Sequence, residues 1–274
     1  MSAARSHRRV LVTGAASGIG AAVLARFVAD GAGVVAVDLD WPAGAPPTPH
    51  EAGAQIPSES AVLRERADVC SDEAVRRVVA HARARFGGLD TVVNCAGVIR
   101  NDDVADIDDG QWQRMLDVNL GGTMRVCRAA LPLLIESAAA GRPAAIVNVA
   151  SVAAFNGSAG MASYSASKAG VIALTRTIAN RYGELGVRAN CVAPGWVRTP
   201  MSETEMADAA ARAGIDIEQA FAALTTRIAL RRLARPEEIA GCVAFLASDD
   251  ASFVTGACLT ADGGARTPAT ARSA

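Results

Sequence analysis

Tyr164 and Lys168 stand four positions apart in the stretch Tyr164-Ser165-Ala166-Ser167-Lys168, so in a helix the phenol and the ammonium share one face. A phenol titrates near 10 and is a poor base at neutral pH. Lowering that by about three units requires about 4 kcal/mol of preferential stabilisation of the phenolate. A neighbouring ammonium is one source of it. Of the 27 basic residues Lys168 is the single lysine, all others being arginine. Lysine offers a compact charge on a flexible stem with a tunable pKa, which arginine does not. The chemistry such a pair serves is proton transfer to or from an oxygen.

A second constellation lies near the start of the chain. Thr13-Gly14-Ala15-Ala16-Ser17-Gly18-Ile19-Gly20 falls between a β-branched run and a helical pattern. Glycines at 14, 18 and 20 let the chain turn sharply and bring backbone N–H groups close to a pyrophosphate, which the next helix attracts with its positive end. Asp38 ends the following strand pattern, 18 residues after Gly20. A carboxylate there accepts hydrogen bonds from a ribose 2′-hydroxyl and repels a 2′-phosphate. Ser17 agrees, because the loop offers no cation to neutralise that phosphate. Both features favour NAD over NADP. A bound oxidised nicotinamide would also bring a positive ring to the Tyr164–Lys168 pair. Neither motif decides alone, since glycines serve any tight turn and YxxxK arises by chance.

The elements that must position these groups alternate along the chain. Val10–Val12, Val34–Val37, Thr91–Val93, Ala145–Val149, Val187–Ala193 and Cys258–Ala261 read as buried strands. Ile19/Val23/Phe27, Val75/Val78/Val79/Ala82/Phe86 and Ile239/Val243/Leu246 trace helical faces. Pro236-Glu237-Glu238 opens the last of these helices. Trp112–Leu134 and Tyr164–Tyr182 read as helices with broad apolar faces. The pattern predicts an α/β fold, a doubly wound parallel sheet in a three-layer α/β/α arrangement. A single catalytic domain over 1–264 is expected, with short helices at about 197–235 forming a substrate lid and a frayed tail at 265–274. Residues 42–57 hold five of the 11 prolines and predict a surface loop in place of a crossover helix.

Composition removes several classes. The chain has 274 residues, 27 basic and 28 acidic, so its charge gives no global reason to bind nucleic acid or anionic membrane. No apolar run is long enough to span a bilayer, and the apolar stretch after Arg9 is too short for a signal peptide. Six scattered cysteines without a CxxC predict reduced, mostly buried thiols in a cytoplasmic protein. His7, His50 and His81 form no ligand cluster, which disfavours a zinc alcohol dehydrogenase, and no metal is expected. No G-x-S-x-G elbow appears, which disfavours a serine hydrolase.

Taken together, the motifs resemble the short-chain dehydrogenase/reductase family from Val10 to Gly264. The carriers are TGAASGIG at 13–20, Asp38, Asp68-Val69, NCAG at 94–97, Asn119, Ser151, YSASK at 164–168, PGWVRT at 194–199 and DGG at 262–264, with 13 residues from Ser151 to Tyr164. The resemblance implies a Rossmann fold and a role for each residue. Tyr164 would be the acid/base at the substrate oxygen, and Ser151 would hydrogen-bond that oxygen. Lys168 would grip the nicotinamide ribose and lower the tyrosine pKa, while Asn119 would hold a water linking Lys168 to solvent. Gly14, Ser17, Gly18, Ile19 and Gly20 would cradle the phosphates. Asp68 and Val69 would meet the adenine, and Asn94, Ala96 and Gly97 would line the ribose side. Pro194, Gly195, Val197 and Thr199 would bound the nicotinamide, the last two binding its carboxamide. Cys95 departs from the family pattern, which commonly has a second asparagine there.

The expected activity is an NAD-dependent exchange of a secondary alcohol and a ketone. Candidate substrate residues are Ser151, Phe155, Trp196, Met201 and Met206, with Val98, Arg100, Val152 and Phe221 beside them; most are apolar, pointing to a hydrophobic or alicyclic substrate. The alternatives are an NADPH-dependent 3-oxoacyl reductase and a non-catalytic dinucleotide-binding sensor or assembly protein. The resemblance also implies a homo-oligomer, a dimer or tetramer.

Overall fold

The computed structural model describes residues 8–42, 62–157 and 160–265. The expectations for the proline-rich loop beyond Pro42 and for the tail beyond Ala265 fall outside the described residues. Seven strands, β1 (Arg9–Thr13), β2 (Gly33–Asp38), β3 (Val62–Arg66), β4 (Thr91–Asn94), β5 (Ala145–Val149), β6 (Arg188–Pro194) and β7 (Cys258–Ala261), form one parallel sheet in the order β3-β2-β1-β4-β5-β6-β7.

Strand side chains alternate between two cores, as a pleated sheet covered on both faces demands. Leu11, Val35, Val92 and Ile146 pack on one face with α2 (Asp72–Phe86) and α4 (Thr123–Ala139). Val10, Val12, Val34, Val93 and Val147 pack on the other with α1 (Gly18–Ala29) and α9 (Pro236–Ala247). Chain order reverses between β2-β1 and β1-β4, which opens a crevice at the C-terminal ends of the central strands.

The opposite end of the sheet is pinned by charge. Asp90 accepts hydrogen bonds from Arg9 and Arg142 with its side chain 1% exposed. Burial alone would raise its pKa, but the two guanidiniums outweigh it and hold the carboxyl well below the usual range.

The stretch Trp112–Leu134 is not one regular helix. It comprises part of α3 (Asp109–Leu116), a π-helical turn at Asp117–Gly122 and part of α4. Wide turns of this kind re-aim a side chain within a helix. Here the turn carries Asn119. The remaining helices are short α5 (Ala153–Asn156), long α6 (Ala162–Tyr182), and α7 (Pro200–Ala213) followed by α8 (Ile217–Thr225) where short helices were expected. Capping explains their starts: Thr199 and Ser202 cap α7 reciprocally behind Pro200, and Asp216 with Gln219 does the same for α8. No helix of the described residues is long and apolar enough to cross a membrane.

Candidate active site

A cleft of about 430 Å³ follows the crevice at the C-terminal strand ends. At its first end, β1 turns into α1. Gly14 has φ +66, and a Cβ there would lie 2.8 Å from the Ala96 nitrogen. A Cβ at Gly20 would overlap the Gly14 carbonyl. Both positions therefore require glycine. Ser17 precedes α1 without capping it through its side chain, and the first turn holds no acid. The helix thus opens its N–H groups and positive end toward the cleft, which Ser17, Gly18, Ile19 and Gly20 line.

Two carboxylates follow. Asp38 Oδ2 accepts from the Ala16 N–H at 2.9 Å, which ties the end of β2 to the glycine loop. Asp68 Oδ1 accepts from the Cys70 N–H at 2.8 Å, and Val69 lines the wall beside it. Among the described residues Arg114 is the only arginine lining the cleft, and it lies on this side, 4.0 Å from the Cys70 sulfur.

At the other end α6 presents Tyr164 and Lys168. Asp102 receives the Ser163 N–H and hydroxyl at the start of this helix, in place of a cap from Met161. Lys168 is 4% exposed, and its Nζ donates to the Val149 carbonyl at 2.9 Å. The ammonium stands 5.8 Å from the Tyr164 ring centre. Burial pushes the Tyr164 phenol up to about 12, with Glu205 adding to the rise and a hydrogen bond with Ser151 opposing it. Burial also pushes Lys168 down to about 8. The protein alone therefore holds a protonated phenol at neutral pH, and the nearby ammonium does not bring it into a basic range.

Several expected positions differ. Asn94 does not line the cleft: it is buried and donates to Asn148 Oδ1 at 2.8 Å and to the Cys127 sulfur. Strand alternation is the reason, because Asn94 shares the inward face of Val92 and stands in register with Asn148. Asn119 is likewise fully buried. Its Oδ1 accepts from the Val98 N–H at 2.8 Å and its amide donates to the Val98 carbonyl and Ser167 hydroxyl, both at 3.0 Å. Through these bonds it joins the β4 loop to α6. Ala96 and Gly97 line the cleft, and a Cβ on Gly97 would stand 3.2 Å from Asn119 Oδ1 and 3.4 Å from Lys168 Nζ.

Pro194, Gly195, Val197 and Thr199 line the wall between the two ends. Ser151, Val152, Trp196, Met201 and Val98 do line the remaining space. Phe155, on α5, is 40% exposed and stands outside the lining. Met206 also lies outside it, buried under α7, because one residue is about a 100° step from Glu205. Arg100 does not reach the lining, and Phe221 lies beneath the Arg198 guanidinium at 4.1 Å. The sequence reading missed Glu205, Met161 and Arg114. Helical spacing from Met201 was a signal for Glu205, since four residues on is the same face.

Comparison with known proteins identifies the family. A family model described as enoyl-(acyl carrier protein) reductase matches residues 14–266. The mouse (3R)-3-hydroxyacyl-CoA dehydrogenase is 37% identical over 93% of this chain and 94% of its own length. The cis-4-hydroxycyclohexanecarboxylate dehydrogenase of Sinomonas cyclohexanicum is 39% identical over 96% and 98%. The ligand-free aldohexose dehydrogenase of Thermoplasma acidophilum superposes with a TM-score of 0.84 at 32% identity, covering 98% of this chain and 97% of that one. A family match from the glycine loop to the end of the sheet, and relatives alike over nearly their full lengths, make this chain a member of the short-chain dehydrogenase/reductase family.

Proposed function

We propose that the protein is an oxidoreductase that interconverts a secondary alcohol and a ketone, with NAD rather than NADP as its cofactor. The observation that carries this reading is the meeting of Ser151, Tyr164 and Lys168 at one end of a cleft whose other end is an uncapped helix N-terminus.

The residues fit such a dinucleotide. Gly14 and Gly20 leave no room for side chains beside open N–H groups suited to a pyrophosphate. Asp38 suits a ribose hydroxyl, Asp68 and Val69 an adenine, and Ala96 and Gly97 the adjoining ribose side. Lys168 suits the nicotinamide ribose, and Val197 and Thr199 the carboxamide. When bound, the dinucleotide supplies a ring that accepts or returns a hydride and whose oxidised form is positively charged.

The chain's own residues supply the proton chemistry. Ser151 holds the substrate oxygen by a hydrogen bond beside Tyr164. Tyr164 takes the hydroxyl proton as the alcohol becomes a ketone and returns it in the reverse direction. Val152, Trp196 and Met201 line the cleft beside these groups, which favours a hydrophobic or alicyclic body. Secondary alcohols offered with NAD should yield absorbance of reduced nicotinamide, and no product from any alcohol would overturn the reading.

Cofactor choice rests on Asp38, whose charge opposes a 2′-phosphate. Fluorescence titration should show NADH binding about tenfold or more tighter than NADPH. The second reading, an NADPH-dependent 3-oxoacyl reductase, draws on the family model's description and needs a cation such as Arg114 to receive that phosphate. Tighter NADPH binding favours it.

Assembly as a dimer or tetramer is part of the proposal. It draws on Phe253, fully exposed, and Phe245, 44% exposed, near the edge strand β7. Sedimentation should give particles of at least twice 28.0 kDa, and monomers alone would count against it. A cytoplasmic setting is also part of the proposal, supported by six scattered cysteines without a CxxC.

A further inference from the structure

Glu205 lies in the wall of the cleft near Tyr164, on the second turn of α7 and on the same helix face as Met201. Its surroundings are unlike those of the other acids there. Asp38 and Asp68 are each held by backbone N–H groups. The Glu205 carboxyl has no hydrogen bond and no ion pair among the described residues, although the residue is half-buried. Among the described residues Arg212, further along α7, is the cation that acts on it. Arg198, in the connection before the helix, pairs with Glu203 and Glu218 instead. Across the cleft stand Tyr164 and, deeper, Lys168, while the neighbouring wall contributes Trp196, Met201 and Val152, none of them charged.

A desolvated carboxyl without a partner is costly, and the cost is offset when a ligand brings a hydrogen-bond donor. Burial pushes this carboxyl up to about 7, so it is largely ionised only at mildly alkaline pH. The other walls near the reacting oxygen are mostly apolar. The site is thus built for an apolar body with one further polar group close to the carbinol.

We infer that Glu205 is a specificity-determining residue that accepts a hydrogen bond from a second hydroxyl on the substrate, selecting diols and hydroxyketones over simple alcohols and rejecting substrates that place a carboxylate there. This rests on the dehydrogenase reading and narrows its substrate class. The same carboxylate faces the Tyr164 phenol and resists its ionisation.

The test compares matched probes at pH 8: cyclohexanol, the cyclohexane-1,2-, 1,3- and 1,4-diols, and 4-hydroxycyclohexanecarboxylate. In the wild-type enzyme the best diol should exceed cyclohexanol in kcat/KM by about tenfold or more. In Glu205→Leu that ratio should collapse toward one, with KM carrying the change, and the carboxylate substrate should gain about tenfold relative to the diol. Glu205→Gln, nearly isosteric, guards against a folding defect, with NADH binding as the check on each variant. Its acid limb in the cyclohexanol kcat/KM profile should move to lower pH, because the negative charge facing Tyr164 is gone. If wild-type enzyme turns over these alcohols but the ratio is unmoved by Glu205→Leu, or the limb is unmoved by Glu205→Gln, the inference is overturned alone. If wild-type enzyme yields no product from these or any other secondary alcohol, the dehydrogenase reading falls with it.

Discussion

Tyr164→Phe should lower kcat for alcohol oxidation by about 10³-fold, within the range by which a positioned acid/base accelerates proton transfer. The variant keeps the ring and removes only the hydroxyl, so packing of this half-buried side chain against its surroundings is preserved. NADH affinity should change little, because the glycine loop and Asp38 lie at the far end of the cleft. The measurement is reduced-nicotinamide absorbance with the best accepted alcohol, alongside a fluorescence titration of NADH. Turnover equal to wild type on any alcohol would sink the assignment of Tyr164.

The pH dependence follows from the burial of the phenol. With the phenol pushed up to about 12 in the protein alone, the basic form is scarce at neutral pH. Oxidation needs that form, so kcat/KM should climb about tenfold per pH unit along the acid limb. The positive charge of an oxidised dinucleotide acts in the favourable direction, lowering the pH at which the limb bends.

Lys168→Met should separate activity from stability. Activity should fall by about 10²-fold, since the variant loses the positive charge beside Tyr164 and the donor to Val149. Stability at pH 7 should rise. The ammonium has an ordinary value of 10.5 and a folded value of about 8. Above 10.5 the amine is neutral in both states and burial costs little. Between 8 and 10.5 the unfolded chain binds a proton that the folded chain does not, and the penalty grows as pH falls. Below 8 the full penalty is present, about 3 kcal/mol from the size of the depression. Methionine keeps the length and removes the charge, so urea unfolding at pH 7 should show a gain of up to that size, shrinking as pH rises through 10. A variant less stable than wild type at pH 7, with no narrowing of the gap at alkaline pH, would show that the buried charge carries no such penalty. A stability cost at this position is what an active site that keeps a desolvated cation entails.

Much of this was legible along the chain because it depends on local pattern. Valine runs separated by helical periods determine a parallel sheet whichever side chains meet later. Gly14, Gly18 and Gly20 announce a tight turn of the backbone, and the spacing from Tyr164 to Lys168 is one helical turn. The thiols were expected to be reduced and mostly buried; Cys127 and Cys191 are fully buried and the other four only partly.

Other features depend on how elements dock. Asn94 lies in a motif that resembles a ribose wall, yet pairing of β4 with β5 puts it opposite Asn148 inside the core. Asn119 reaches Val98 and Ser167 from a π-helical turn, and those partners come from segments distant in sequence.

The amino-acid sequence by itself determined the order of elements, the glycine turn after β1 and the helical spacing of Tyr164 and Lys168, since each is written in residues close together in the chain. Only the tertiary structure decided which residues of α7 face the cleft, with Glu205 rather than Met206 turned toward Tyr164. It also decided that Tyr164 and Lys168 are both driven toward their neutral forms. The physical reason is the same for both. Helix rotation and desolvation are set by contacts between segments distant in sequence, and neither exists until those segments are packed together.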